Sequence, residues 1–242
     1  MINLTHLIRR FMKTIVKPGK LIVILCLLVF SIPNCFSQCE IDKVNLELIP
    51  YSSVKTYLEN QKARNVKTFL DIKPSWSGNK DGYNVQEKTY KVKGDLAEVW
   101  DYYKTTSPSV SWNGKKVMFG FMYSKEQNKP VYRGEMISQI DTGQVIFLNL
   151  KLLKFYNLAM AFEVIEVNTE KKIIEFSYIE GNASQGKQSL QFIDTPQGYT
   201  KIVHRSYFKS GSKLRDKVLY PFFHTRTTNE FHRIMRKIIC KN

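Results

Sequence analysis

No G-x-S-x-G, no H-E-x-x-H and no glycine-rich phosphate loop occurs anywhere in the 242 residues. The common signatures of serine, zinc and nucleotide chemistry are therefore missing. Cysteine and histidine are scarce, at four each. A zinc site built from Cys39, Cys240, His224 and His232 would have no ligand spacing behind it. No metal and no cofactor are expected on these grounds. Acidic residues are also few, 21 against 37 Lys and Arg. The longest apolar run, Leu21 to Ile32, is twelve residues. As a helix it would reach about 18 Å, short of the ~30 Å hydrocarbon core of a bilayer.

The segment around that run has the layout of a secretory signal peptide. Arg9, Arg10, Lys13, Lys17 and Lys20 precede it, no acid occurs before Glu40, and Pro33 ends it. Basic, then apolar, then small and polar is the order expected of a leader over residues 1–37, with cleavage after Ser37. An uncleaved N-terminal anchor and a lipoprotein modified at Cys39 are the alternatives, although no small residue stands just before that cysteine. Without residues 1–37 the 37 basic residues fall by five to 32, leaving +11. An exported basic domain points to an anionic membrane surface as a partner, and not to nucleic acid. The expected location is the periplasm or cell envelope, or the exterior. Cys39 and Cys240 remain as an even pair in an oxidising compartment, which invites a disulfide.

What is abundant is aromatic and apolar: fifteen Phe, thirteen Tyr and 43% hydrophobic residues, enough for a sizeable core. Residues 38–82 read as an N-terminal extension of uncertain structure. Within it Tyr51 to Ala63 can form a short helix, and Pro74 to Gly82 is dense in turn formers. From Glu87 to Lys93 the alternation is that of a strand. Asp95-Leu96-Ala97-Glu98 then resembles a capping box leading into a short amphipathic helix to about Lys104. Six strand-like segments follow, Val117–Tyr123, Gln144–Leu152, Leu158–Val167, Lys172–Glu180, Lys187–Ile193 and Tyr199–Phe208, separated by short turn-like links. Such links suit an antiparallel meander and exclude a doubly wound sheet. The chain closes on a long helix from Ser212, in which Leu214, Val218, Leu219, Phe222 and Phe223 form an apolar stripe. Pro221 is expected to kink or split that helix.

Strand, short helix, antiparallel strands and one long terminal helix is the element order of the helix-grip fold. On Lys88–Gly94 into Asp95–Tyr103, and on Ser206–Ile239, residues 83–242 resemble the START-like (SRPBCC) superfamily. The ending Leu214-Arg215-Asp216-Lys217-Val218-Leu219-Tyr220-Pro221 into His224 and Phe231 is most similar to the uncharacterised DUF1990 group. The resemblance implies an α+β fold, a curved antiparallel sheet gripping a C-terminal helix. It also implies a cavity between the two for a lipid, sterol or other apolar molecule. Alternation along the strands puts Phe176 and Tyr178 on one face, and His204, Ser206 and Phe208 on one face of the last strand. With Phe222 from the helix these are the candidate ligand-binding residues, mostly apolar with a few polar groups. No catalytic residue is singled out. An acid–base enzyme using His204 and Tyr178 is the alternative, as is an envelope protein with no internal ligand.

Overall fold

The computed structural model describes residues 40–154 and 156–241. Its centre is one eight-stranded antiparallel sheet: β1 (Asn84–Lys93), β2 (Val117–Ser124), β3 (Lys129–Val131), β4 (Gln144–Lys151), β5 (Asn157–Asn168), β6 (Ile173–Tyr178), β7 (Gln185–Thr195) and β8 (Tyr199–Lys209). The order across the sheet is β1-β8-β7-β6-β5-β4-β2-β3. Strands β4 to β8 are the expected meander. β1 pairs with β8 along ten residues, Asn84 opposite Phe208 through Lys93 opposite Tyr199, and so lies near the opposite edge from β2. The chain between β1 and β2 passes through two helices, α2 (Leu96–Thr105) and α3 (Pro108–Ser111). Asp95 accepts from the Glu98 N–H at 2.8 Å, the cap its sequence predicts. Of the turn-like link Asn128–Pro130, Asn128 does close a turn with a positive φ, whereas Lys129 and Pro130 enter the short edge strand β3. Pro130 is tolerated there because an edge strand can spare a donor.

The sheet is bent at two register shifts, between Phe119 and Phe121 in β2 and between Val164 and Glu166 in β5. The β2 shift reverses which side chains point inward. Val117 and Phe119 belong to the core under the concave face, whereas Phe121 and Tyr123 belong to a second core on the other side. Gly120 sits at the shift. A Cβ there would lie 3.0 Å from both the Phe147 carbonyl and the Val54 side chain, so only glycine lets the neighbouring helix come this close.

That neighbouring helix, α1 (Ser52–Ala63), belongs to the segment read from sequence as an extension of uncertain structure. Residues 41–72 form a layer over the convex face of β2, β4 and β5. Ile41, Ile49, Val54, Leu58 and Phe69 are all fully buried there. Phe69 stacks on Tyr123 at 4.2 Å and meets Phe121 and Phe147 edge-on. Two backbone bonds hold the following residues to the sheet, Ser75 N–H to the Tyr178 carbonyl (2.6 Å) and Glu180 N–H to the Lys73 carbonyl (2.9 Å).

The concave face holds α2 and the long terminal helix α4 (Tyr220–Ile239). The Ser212 hydroxyl accepts from the Arg215 N–H at 3.3 Å, as expected of a cap. Between the cap and α4, Arg215–Leu219 makes a wider, π-helical turn. Pro221 follows directly, and the wide turn absorbs the donor it lacks and the crowding of its ring. At the far end of α4, Phe231 stacks on Trp112 at 4.0 Å. There the buried Glu230 carboxylate accepts from the Lys116 and Val117 N–H groups at 2.6 and 3.1 Å. Cys240 is an exposed thiol at the C-terminal end of α4. Its expected partner Cys39 and the expected leader lie outside the described residues.

Candidate ligand cavity and its polar end

The two halves of α4 meet the sheet differently. Its second half, from Phe231 through Met235 to Ile239, is buried in solid contact. Its first half stands off, and a cavity of about 470 Å³ lies between it and the sheet. That volume falls in the range of about 300–1,000 Å³ usual for small-molecule sites. The sheet contributes Leu148, Leu150, Leu158, Met160 and Phe162, and the helical turn and α4 contribute Leu219 and Phe223. Leu153 and Tyr156 line it as well and are largely exposed, which marks the mouth. Arg215 is the only charged side chain in the lining among the described residues, and its guanidinium donates to the Ala183 carbonyl at 2.9 Å.

One end of this apolar chamber is polar. Tyr178 and Gln188 reach it from β6 and β7, and Tyr220, His224, Thr227 and Thr228 from α4. Helical periodicity explains the second group: Tyr220, His224, Thr228 and His232 follow at i, i+4 spacing and so share the face turned to the sheet. Behind the cavity wall these groups continue into a buried network. Gln188 lies 2.8 Å from His204 Nε2, 3.0 Å from His224 Nε2 and 2.9 Å from the Tyr178 hydroxyl. His204 Nδ1 is 2.9 Å from His232 Nε2, and His232 Nδ1 is 2.8 Å from the Tyr103 hydroxyl. The Tyr178 and Tyr220 hydroxyls are 2.7 Å apart. His224 Nδ1 faces Gln86 Oε1 at 2.9 Å.

Burial sets the ionisation of this cluster. It pushes His204 down to about 3. His224 and His232 are held well below the ordinary imidazole value, first by burial and then by the neighbouring His204. Lys88 adds to this for His224, and Arg236 for His232. The Tyr103, Tyr178 and Tyr220 phenols are all pushed up by burial. At neutral pH the cluster is uncharged. No group of His, Cys, Asp and Glu able to hold a metal occurs among the described residues.

Of the six residues expected to contact a ligand, only Tyr178 lines the cavity. His204 and Ser206 are buried one layer behind it, Ser206 Oγ lying 3.2 Å from His224 Nε2. Phe176 is core, edge-on to Phe162 at 5.0 Å. Phe208 stacks on Tyr220 at 3.6 Å and so supports the wall without forming it. Phe222 is a correction. It is 52% exposed, with the Arg226 guanidinium 5.2 Å above its ring, on the outward side of the helix. The expected stripe divides into two faces, Leu219 and Phe223 inward, Leu214, Val218 and Phe222 outward, because residues three and four apart share a face and adjacent ones do not. Gln86, Gln188, Tyr220 and the joint role of the three histidines were not read from sequence. The His204–Tyr178 pairing that acid–base chemistry needs is interrupted by the Gln188 carboxamide.

No protein-family model matches the chain, and no curated protein does. Solved structures do. Norcoclaurine synthase from Thalictrum flavum, in complex with dopamine and hydroxybenzaldehyde, is 12% identical, covering 69% of this chain and 92% of its own at a TM-score of 0.49. Major latex-like protein 151 from Panax ginseng is 14% identical, covering 64% and 96% at 0.47. Protein Ms6760 from Mycobacterium smegmatis is 9% identical, covering 65% and 91% at 0.46. The strand order, the curved antiparallel sheet and the gripped terminal helix make this a helix-grip, START-like fold.

Proposed function

We propose that this chain is an exported START-like binding domain that holds an apolar or amphipathic small molecule, such as a lipid, between its sheet and α4. The observation that carries the reading is the 470 Å³ chamber with leucine-rich walls and a polar end built from Tyr178, Gln188 and the first half of α4. An empty chamber of that kind gives up dispersion contacts on every wall, and a guest of matching shape restores them. Export rests on the basic, apolar and small-polar order of residues 1–37. Native mass spectrometry of the protein purified without detergent tests the function: a small-molecule adduct that leaves on unfolding is expected. Protein that is bare from every source, and stays bare after incubation with lipid extracts, would overturn it.

The surface beside the mouth supports delivery at an anionic membrane. Leu214, Val218 and Phe222 are exposed on one side of the helix, Leu153 and Tyr156 are exposed at the mouth, and Lys213, Lys217 and Arg226 are exposed among them. Apolar side chains flanked by cations are the arrangement that binds a bilayer interface. Sedimentation with vesicles of phosphatidylglycerol and phosphatidylcholine should show binding that grows with the anionic fraction and weakens with salt. Binding that ignores both would contradict this part.

A further inference from the structure

The protons of the polar end can be assigned one by one, starting from an atom that cannot donate. The Pro221 carbonyl lies 3.2 Å from the Gln86 carboxamide, so the group facing it is the NH₂, which also donates to Thr225 Oγ1 at 2.9 Å. The Gln86 oxygen therefore faces His224 Nδ1, which must carry a hydrogen. A neutral His224 then has a bare Nε2, and the group 3.0 Å away must be the NH₂ of Gln188. Turned the other way, with Gln188 Oε1 toward the rings, a neutral His224 would set a bare Nε2 against that oxygen at 3.0 Å, and only a buried imidazolium would make the contact a hydrogen bond. The half-turn of the carboxamide removes both the acceptor–acceptor contact and the need for that charge. The same NH₂ donates to His204 Nε2, so His204 carries its hydrogen on Nδ1 and donates to His232 Nε2. His232 in turn donates from Nδ1 to the Tyr103 oxygen. On the other side the Gln188 oxygen accepts from Tyr178, whose proton is then spent, so Tyr220 donates to Tyr178. Thr227 and Thr228 spend their hydroxyl protons on the His224 carbonyl, at 3.0 and 2.9 Å.

The hydrogens of Gln188, Tyr178, Tyr220, Thr227 and Thr228 are thus engaged within the protein, while the oxygens of Tyr178, Tyr220, Thr227 and Thr228 keep lone pairs. From this we infer that the cavity selects a neutral ligand whose buried end is a hydrogen-bond donor, an alcohol or phenol, and disfavours an ether, ketone or carboxylate there. The inference rests on the cavity being a ligand site. A ligand carbonyl or carboxylate set against these five residues would meet acceptors, and Arg215 is the one cation that an anionic head would find among the described lining residues.

Displacement of 1,6-diphenylhexatriene by 4-octylphenol, 4-octylanisole and 4-octylbenzoate tests it. The phenol should displace the probe at a concentration at least about tenfold below that of the anisole, with the benzoate weakest of the three. Equal displacement by phenol and anisole overturns the donor preference and leaves the cavity reading standing. Failure of the probe and all three compounds to bind overturns the cavity reading and this inference with it. Long-range ¹H–¹⁵N spectra give an independent check on the proton chain. His204, His224 and His232 should all show Nδ1 as the protonated nitrogen, and an Nε2–H on any of them breaks the assignment.

Discussion

Acid should unfold this domain through its buried imidazoles, and His204 allows the size of the effect to be worked out. In the fold its pKa is about 3, because burial excludes the charged form. In the unfolded chain it is about 6.5. The unfolded state therefore binds a proton that the folded state refuses, and stability falls as pH drops below about 6.5. The slope approaches 1.4 kcal/mol per pH unit and persists until the folded pKa is reached. Between pH 7 and pH 5 that one ring removes about 2 kcal/mol. His204→Gln, neutral at every pH and still able to hydrogen-bond, should be less stable than the parent at pH 7. Its further loss on going to pH 5 should nevertheless be smaller than the parent's by about 2 kcal/mol. Urea unfolding of both proteins at pH 7, 6 and 5 measures the difference. Parallel curves would show that His204 titrates alike folded and unfolded, and would refute the account of the buried network.

Other consequences follow from packing. Phe69→Ala removes the centre of the convex-face core, where Phe69 is fully buried against three aromatic rings, and should cost about 3–5 kcal/mol in chemical denaturation. A loss under about 1 kcal/mol would mean that residues 41–72 are an appendage. Gly114→Ala puts a Cβ 2.1 Å from Glu230 Oε2, displacing the carboxylate from its two backbone donors, with an expected loss of about 1–3 kcal/mol by the same assay. Non-reducing peptide mapping of the mature protein should recover Cys39 and Cys240 in one bridged fragment. Two free thiols would remove the disulfide expected from their pairing.

The sheet was legible in the sequence because its turns are short and chemically marked, and because β7 and β8 alternate between a buried face and a more exposed one, which in β8 is basic. Lys201 and Arg205 of β8 do point away from the buried Ile202 and His204. The convex-face layer was not legible, because residues 41–72 are mostly single turns whose apolar residues follow no fixed period. Its trace lay elsewhere: Val145 to Leu150 of β4 is apolar or buried at every position, and a strand without alternation has both faces covered. The polar end of the cavity was half legible. Inward Tyr178 and His204 followed from strand parity, but Gln188 and Tyr220 are ordinary residue types that gain a role only from what they touch. The row Tyr220, His224, Thr228, His232 carried the missing signal, a polar stripe on the face of a helix that must meet the sheet.

The most direct test of the central claim is a fluorescence titration of 1,6-diphenylhexatriene into the wild-type protein and into Met160→Trp, whose larger side chain would intrude into the chamber from β5. Saturable binding at one probe per wild-type molecule, clearly weakened in Met160→Trp without loss of thermal stability, is the predicted result. Equal binding by the two proteins would place the probe elsewhere and contradict the cavity as the functional site.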